Sequence, residues 1–243
     1  MTKKKNVLMR SAGLLLALVL VTSCFVGSTL AKYTTSADAT ESARVAKFGV
    51  TVTAKADMFA TEYDTDDQNV VGTIAKSVIS TDKVVAPGTK KEGFVASTIA
   101  GTPEVAVRVS YEAKEFKLTN WTTNGTDEYC PLVFTVNGTE YKIGGKYTPA
   151  GGEETDITTV AQLQEAVEGA IKAYTKDYAP GTNLSGVGAD TLAISWEWPF
   201  ETGTNDTEKL ANNAKDTALG NRAAEGNAAT VSLTLATTVT QID

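Results

Sequence analysis

The amino-acid sequence predicts a mainly β protein, an antiparallel β-sandwich with one or two helical insertions. Several short segments alternate apolar and polar residues with a period of two, which is typical of half-buried strands. Residues that favour turns lie between these segments, and Asn137-Gly138 is the clearest pair. Helical periodicity is confined to a segment near 159–175, with a second, Ala-rich candidate near 207–225. Short strands joined by turns, with a minority of helix, indicate a sandwich.

The chain opens with the features of a secretory signal peptide. Three lysines and Arg10 precede an uncharged apolar run at residues 12–26, which is the order of a basic n-region and an apolar h-region. This run is shorter than the roughly 20 apolar residues that a transmembrane helix needs. Small residues at Thr29 and Ala31 predict cleavage between Ala31 and Lys32.

Two alternatives to this cleavage stay open. The apolar run would anchor the protein if it were not cleaved, and Val21 to Cys24 resembles a lipoprotein processing site that would make a lipidated Cys24 the N-terminus. We favour Ala31 because the apolar run ends more naturally there. Cleavage there leaves Cys130 as the single cysteine, which excludes an internal disulfide. We expect Cys130 to be a buried inert thiol, with intermolecular pairing as the alternative.

The sequence divides into a signal peptide (1–31), an N-terminal arm (32–46) and one β domain (47–243) that contains the helical insertions. The arm is rich in Thr, Ser and Ala and has little apolar periodicity, so we expect it to be loose in an isolated monomer. Removing residues 1–31 takes away four of the 22 basic residues and none of the 29 acidic ones, which leaves a net charge of −11. That charge argues against nucleic acid and anionic membrane surfaces as partners, since both need clustered cations.

The period-two pattern predicts a series of strands in the β domain. It is clearest at 104–112 and at 192–198, where apolar residues occupy alternate positions and define one buried face. In the second of these segments we expect Trp196 and Trp198 to lie in the core. The predicted strands are 48–53, 78–85, 94–100, 104–112, the hairpin 132–143, 192–198 and 231–239.

The segment 132–143 predicts a β-hairpin with a type I′ turn at Asn137-Gly138, because these two residues tolerate positive φ. The turn sets the register of the two strands. The predicted core face pairs Val136 with Thr139, Phe134 with Tyr141 and Leu132 with Ile143. The opposite face, which is compatible with water, pairs Thr135 with Glu140 and Val133 with Lys142.

The segment 159–175 predicts an amphipathic α-helix of roughly four turns. Thr159 is the expected N-cap, and Gln162 three residues later completes a capping box. Glycine pairs before the segment and Pro180-Gly181 after it mark the helix as an insertion between strands. The second candidate, 207–225, would hold one or two short helices that end at Gly226. The apolar stripe of the first helix consists of Val160, Leu163, Val167, Ile171 and Tyr174.

The chain contains no histidine. This excludes Ser-His-Asp and Cys-His nucleophile activation, and it excludes the His-x-x-x-His zinc sites of most metalloproteases. The sequence also lacks the Gly-rich loops that cradle nucleotide phosphates. We therefore predict a protein that is not an enzyme and that has no cofactor and no metal site.

Three features nevertheless keep other kinds of site open. Trp121 lies in a polar segment and is a candidate for stacking on a sugar. Acidic residues are numerous enough to supply the two carboxylates, about 5 Å apart, of a retaining glycosidase. The segment from Asp64 to Asn69 alternates oxygen ligands as calcium loops do, but it lacks the Gly at the sixth position and the Glu at the twelfth. A surface binding module for a carbohydrate or host ligand, and a carboxylate hydrolase, are therefore the alternative functions.

Three stretches carry a family resemblance: 27–54, 84–112 with its Pro-Gly-Thr turn, and 229–243. The first contains Gly27, Ala31 and Tyr33 in a Gly-x-x-x-Ala-x-aromatic arrangement. In these stretches the chain resembles the TasA-like and camelysin-like secreted proteins of Gram-positive bacteria, in which a dedicated SipW-type signal peptidase cuts at such a motif. The resemblance covers the first third and the last strand well and the middle poorly.

The resemblance implies a jelly-roll form of the sandwich and signal peptidase processing at Gly27, Ala31, Lys32 and Tyr33. It also implies a secreted extracellular matrix protein, of the kind found in biofilms, that self-associates into fibres. The expected partners are the signal peptidase during export and further copies of the chain afterwards, with no stable membrane insertion after cleavage. Some members of the family are described as metalloendopeptidases, but the absence of histidine argues against that activity here.

Overall fold

The computed structural model describes residues 14–15, 43–64, 72–187 and 192–243. The chain forms two compact units, 1–45 and 46–243, and in the first of them Leu14 and Leu15 are helical. No helix in the described part of the chain is long and apolar enough to cross a membrane. The predicted features that lie outside the described residues are Cys24, the processing residues Gly27, Ala31, Lys32 and Tyr33, positions 32–42 of the arm and positions 65–69 of the calcium candidate.

The described residues of the second unit form thirteen strands and two α-helices. The helices are α1 (Val160–Ala173) and α2 (Asp206–Ala224). The strands are β1 (Thr51–Ala54), β2 (Glu62–Asp64), β3 (Thr73–Lys76), β4 (Lys90–Val95), β5 (Ser97–Ala100), β6 (Val107–Thr119), β7 (Val133–Val136), β8 (Thr139–Tyr141), β9 (Lys146–Tyr147), β10 (Thr155–Asp156), β11 (Thr175–Tyr178), β12 (Ala193–Glu197) and β13 (Thr230–Gln241).

All strand pairs are antiparallel, which confirms the predicted fold class of a mainly β protein with helical insertions. The two larger sheets have the strand orders β4-β12-β7-β8 and β11-β6-β13. Three two-stranded ribbons, β1-β5, β2-β3 and β9-β10, accompany them.

The two larger sheets contribute to one hydrophobic core. Phe116 of β6 and Phe134 of β7 meet edge to face, with ring centroids 5.2 Å apart. Trp196 of β12 packs against Phe59 and Tyr63 at 5.3 and 5.9 Å, and its indole N–H donates to the carbonyl of Met58. The apolar residues at alternate positions of the predicted strand 192–198, including both tryptophans, are buried, as the period-two pattern predicted.

The predicted hairpin at 132–143 is confirmed. Asn137 and Gly138 have φ of 48° and 86°, as a type I′ turn requires. The ladder pairs Val136 with Thr139, Thr135 with Glu140 and Phe134 with Tyr141, so the predicted pairs of Leu132 and Val133 lie beyond it. Val133 is buried and not facing water, so the predicted water-facing side of the hairpin is covered at this residue.

The predicted strand 78–85 is wrong. Val78 is 100% exposed, and the N–H of Asp82 donates to the carbonyl of Ile79 at 3.0 Å in a turn. Only Val84 keeps a bridge, to Ala60. The β-branched residues of this segment favour extended backbone, but a strand also needs a partner along its length, and most of the segment has none in the described residues.

Other strand boundaries differ from the predictions in ways that the sheets explain. The predicted strand 94–100 is two strands, because the chain leaves the β4-β12 pair at Ala96 and then pairs β5 with β1. The predicted strand 104–112 continues to Thr119 as β6, since β13 pairs with it over its whole length. Strand β1 is exposed at every residue and not half-buried, because the ribbon contacts the core through its other strand, β5, in which Ser97 and Ile99 are buried.

Both predicted helices are present. In α1 the Thr159 hydroxyl accepts from the N–H of Gln162 at 3.2 Å, and the Gln162 carboxamide accepts from the N–H of Thr159, which completes the capping box. The second candidate is a single helix, α2, which has Asn205 as its N-cap and is followed by Gly226 at φ 83°. The buried residues of α1 are Val160, Leu163, Ala166, Val167 and Ile171, so the predicted stripe faces the core.

Candidate functional site: the open edge of strand β13

Strand β13 forms one edge of the three-stranded sheet. It pairs with β6 from Thr230, opposite Thr119, to Gln241, opposite Val107. Among the described residues it pairs with no other strand. A strand in this position presents a row of backbone N–H and C=O groups to any chain that approaches from the open side.

The outward-facing groups of β13 follow from the contacts of β6. The N–H of Leu118 donates to Gln164 Oε1 at 3.0 Å, and the C=O of Phe116 accepts from Gln164 Nε2 at 3.1 Å, so these groups point away from β13. In an antiparallel pair, the backbone N–H and C=O groups of two opposed residues either bond to each other or point away from the partner strand in both residues. Val231 and Leu233, which lie opposite Leu118 and Phe116, therefore direct their N–H and C=O groups to the open edge.

Strand β13 carries no charged residue over its twelve positions. The other strands at the ends of the two larger sheets are protected in familiar ways. Strand β4 carries Lys90, Lys91 and Glu92 and has Gly93 at φ 60°, while β8 has only three residues. Strand β11 has four residues, one of which, Asp177, is paired with Arg108. Of the four strands at the ends of the two larger sheets, β13 is therefore the one that is both long and uncharged.

A groove runs along the open side of β13. Its volume is about 950 Å3, and its walls are residues 228–235 on one side and segments 54–59 and 81–85 on the other. Met58 and Phe94 contribute buried apolar side chains, and Leu233 on β13 is half-buried. Consecutive residues of β13 line the groove. Since alternate side chains point to opposite faces of a strand, a groove that touches consecutive residues is in contact with the backbone edge as well as with one face.

The wall opposite β13 is held in place by one side-chain and one backbone hydrogen bond. Lys83 Nζ donates to the carbonyl of Ala56 at 2.7 Å, which joins the two segments of the wall. The N–H of Val84 donates to the carbonyl of Ala60 at 3.0 Å. The groove is therefore preformed, and an occupant does not have to order this wall.

The residue that follows the N-terminal arm, Lys47, is fixed within the β domain. The N–H of Lys47 donates to Glu104 Oε2 at 2.9 Å, and the N–H of Glu104 donates to the carbonyl of Lys47 at 2.8 Å. Residues 43–46, the described part of the arm, are exposed and lie in neither strand nor helix. The arm thus begins from a fixed point at Lys47.

Trp121 is not the exposed aromatic residue that its polar surroundings predicted. It is 2% exposed, it packs against Trp198 with ring centroids 5.4 Å apart, and its indole N–H donates to the carbonyl of Thr230 at 2.9 Å. The tertiary fold brings the end of β6 against the start of β13 and so buries the ring. Trp121 is unable to stack on a sugar in this position.

Cys130 is buried, as predicted for an inert thiol. Burial raises the pKa of the Cys130 thiol to about 12, so the reactive thiolate is scarce at neutral pH.

A second cleft, of about 620 Å3, lies between α1 and the β9-β10 ribbon and has four glutamates in its lining. Two of them are bound to residues of the cleft: Glu154 pairs with Lys146 at 3.1 Å, and Glu165 accepts from the Tyr147 hydroxyl at 2.8 Å. A hydrogen bond from Lys114 lowers the pKa of Glu112, the opposite of what a general acid requires. The described residues hold no group of three or more Cys, Asp and Glu that could bind a metal ion.

Asp216 of α2 lies away from that cleft and has a raised pKa. Burial is the main cause, and its carboxylate accepts a hydrogen bond from the Tyr129 hydroxyl at 2.9 Å. A carboxyl whose pKa is higher in the folded than in the unfolded chain favours folding below the unfolded pKa, and this contribution is lost as pH rises through the folded pKa.

The Asp216→Asn variant is therefore expected to gain stability relative to wild type as pH rises from about 4 to 7, since the amide still accepts from Tyr129 and carries no charge. Urea unfolding at pH 3.5, 5 and 7 measures this difference. Asp177→Asn serves as a control of opposite sign, because the Arg108 guanidinium lowers the pKa of Asp177. A difference between Asp216→Asn and wild type that is constant with pH would contradict the expectation.

No family model, curated protein or solved structure matches this chain. The resemblance to TasA-like proteins stays a prediction from short motifs.

Sequence reasoning identified β13 as a strand but did not identify it as an open edge, and it gave Gln164 no role. The available signal was the absence of charge over residues 230–241, because natural edge strands are commonly protected by charged side chains. Nothing in the sequence around Gln164 indicates that its side chain bonds to a strand.

Proposed function

We propose that this chain is a secreted, non-enzymatic structural protein of the extracellular matrix or cell surface, and that its copies assemble into fibres by strand addition. The observation that supports this proposal best is strand β13, which has twelve uncharged residues, pairs with no second strand among the described residues and lines a groove at residues 228–235. An extended segment in that groove would bond to the outward groups of Val231 and Leu233 and cover the apolar side chains there.

The N-terminal arm of a second copy is the proposed occupant. Residues 32–46 are freed at Lys32 by the predicted cleavage after Ala31, and Thr34, Thr35 and Thr40 favour extended backbone. Eight residues, enough to pair with positions 228–235, span about 26 Å when extended, and the whole arm spans about 50 Å. One arm is long enough for the groove and for a connection to its own domain.

Donor and acceptor lie at different places on the same chain, so each copy uses its arm on one neighbour and offers its groove to another. Such a heterologous contact produces an open filament when its rotation does not close a ring. The proposed product is therefore a linear homopolymer.

The test compares the mature chain, which starts at Lys32, with a chain that lacks residues 32–46, at equal concentration. We expect filaments in negative-stain micrographs and rapid sedimentation for the mature chain only, because the truncated chain has an acceptor edge without a donor. Intact mass of the secreted protein establishes whether the chain begins at Lys32. Equal filament formation by the truncated chain, or a mature chain that stays monomeric across concentration and pH, would refute strand addition by the arm.

A further inference from the structure

The second side of β6 is covered by two different elements. Strand β11 pairs with residues 107–110. Farther along β6, helix α1 lies against the strand, and the Gln164 carboxamide bonds to Leu118 and Phe116. Strand β6 therefore has partners on both sides: β13 on one, and on the other β11 at residues 107–110 and Gln164 at Phe116 and Leu118.

The Gln164 carboxamide occupies the place of a peptide group from a neighbouring strand. A strand that pairs with β6 would donate an N–H to the carbonyl of Phe116 and accept from the N–H of Leu118, and the two carboxamide atoms make these two bonds at 3.1 and 3.0 Å. The position that it imitates lies opposite Lys117. A donor strand would have to displace this carboxamide to pair there.

The helix holds Gln164 in position through its neighbours. Leu163 and Val167 are 0% exposed and anchor α1 in the core. The N-terminus of α1 is fixed by the capping box and by Glu128 Oε2, which accepts from the N–H of Val160 at 2.9 Å. The anchored helix thus holds the backbone of Gln164 at a fixed position beside β6.

We propose that Gln164 is a specificity-determining residue for assembly: it blocks the side of β6 at Phe116–Leu118, so that the three-stranded sheet accepts a strand only at β13. This inference rests on the proposed function, since it assigns a donor strand to one of two edges. A single acceptor edge for each copy makes the filament unbranched, whereas a second acceptor edge would allow two arms to bind one copy.

The experiment uses a synthetic peptide of residues 32–46 with a photoreactive group, in excess over the mature chain. Cross-linked positions are located by mass spectrometry in wild type, in Gln164→Ala and in Gln162→Ala. The last variant is the matched control, because it removes the capping-box glutamine of the same helix without touching β6. We expect wild type and Gln162→Ala to be labelled along 228–235 only, and Gln164→Ala to be labelled at 116–118 as well.

Hydrogen exchange supplies a second readout. The Leu118 amide is expected to exchange about tenfold faster in Gln164→Ala than in Gln162→Ala, the factor that corresponds to about 1.4 kcal/mol for lost hydrogen bonds. Faster exchange alone would accompany any loss of these bonds, so the labelled positions decide the proposal.

The outcomes separate this inference from the proposed function. Labelling along 228–235 in all three proteins, without labelling at 116–118 in Gln164→Ala, overturns the role of Gln164 and leaves strand addition at β13 intact. Labelling at 116–118 in Gln164→Ala, with none along 228–235 in any protein, supports the block by Gln164 and refutes the acceptor edge at β13. Labelling at 116–118 in Gln162→Ala would also overturn the inference, because loosening α1 anywhere would then be sufficient.

Discussion

The Val231→Pro variant is expected to remain folded and to form no filaments. The N–H of Val231 points to the open edge, so proline removes a donor that β6 does not use. Proline is tolerated in edge strands when the missing N–H faces outward. A donor arm would lose one ladder bond and meet the pyrrolidine ring at the start of the groove.

Negative-stain microscopy and sedimentation measure assembly, and circular dichroism with thermal unfolding measures folding. Val231→Ala is the control, since it shortens the same side chain and keeps the N–H. We expect this variant to form filaments at a higher protein concentration than wild type. Ser232→Pro is the opposite control, because the N–H of Ser232 faces β6 and its loss should destabilise the monomer. Wild-type filaments from a folded Val231→Pro protein would rule out pairing at this edge.

The Leu163→Asp variant is expected to be severely destabilised. Leu163 is 0% exposed in the α1 face that packs on the core. Burial of a leucine side chain contributes about 1.5–3 kcal/mol, and an unpaired buried carboxylate adds a further cost of several kcal/mol. The combined loss is comparable to the roughly 5–15 kcal/mol that stabilises a typical domain.

Urea unfolding followed by tryptophan fluorescence measures this effect, because Trp121, Trp196 and Trp198 all lie in the core. Ala161→Asp is the control, since it places the same carboxylate on the exposed face of the same helix. We expect the Ala161→Asp midpoint to stay near that of wild type. An unchanged midpoint for Leu163→Asp would show that α1 is detached from the core in solution.

Features that depend on neighbours along the chain could be predicted from the order of residues. The Asn137-Gly138 turn set the hairpin register, because few residue pairs accept two positive φ angles. The Thr159 and Gln162 capping box set the start of α1, and the spacing of its apolar residues identified the face that packs on the core. Each of these rests on local sterics or on periodicity, which the order of residues already contains.

The pairing of strands and the burial of polar segments depend instead on the packing of distant parts of the chain. Residues 78–85 favour a strand by composition, yet most of them find no partner in the described part of the chain, and Trp121 is buried because the end of β6 meets the start of β13. The open edge of β13 and the bonding of Gln164 to β6 depend on pairings between residues about 46 to 134 positions apart. Such pairings are set by how the sheets and α1 pack together, and no local pattern records them.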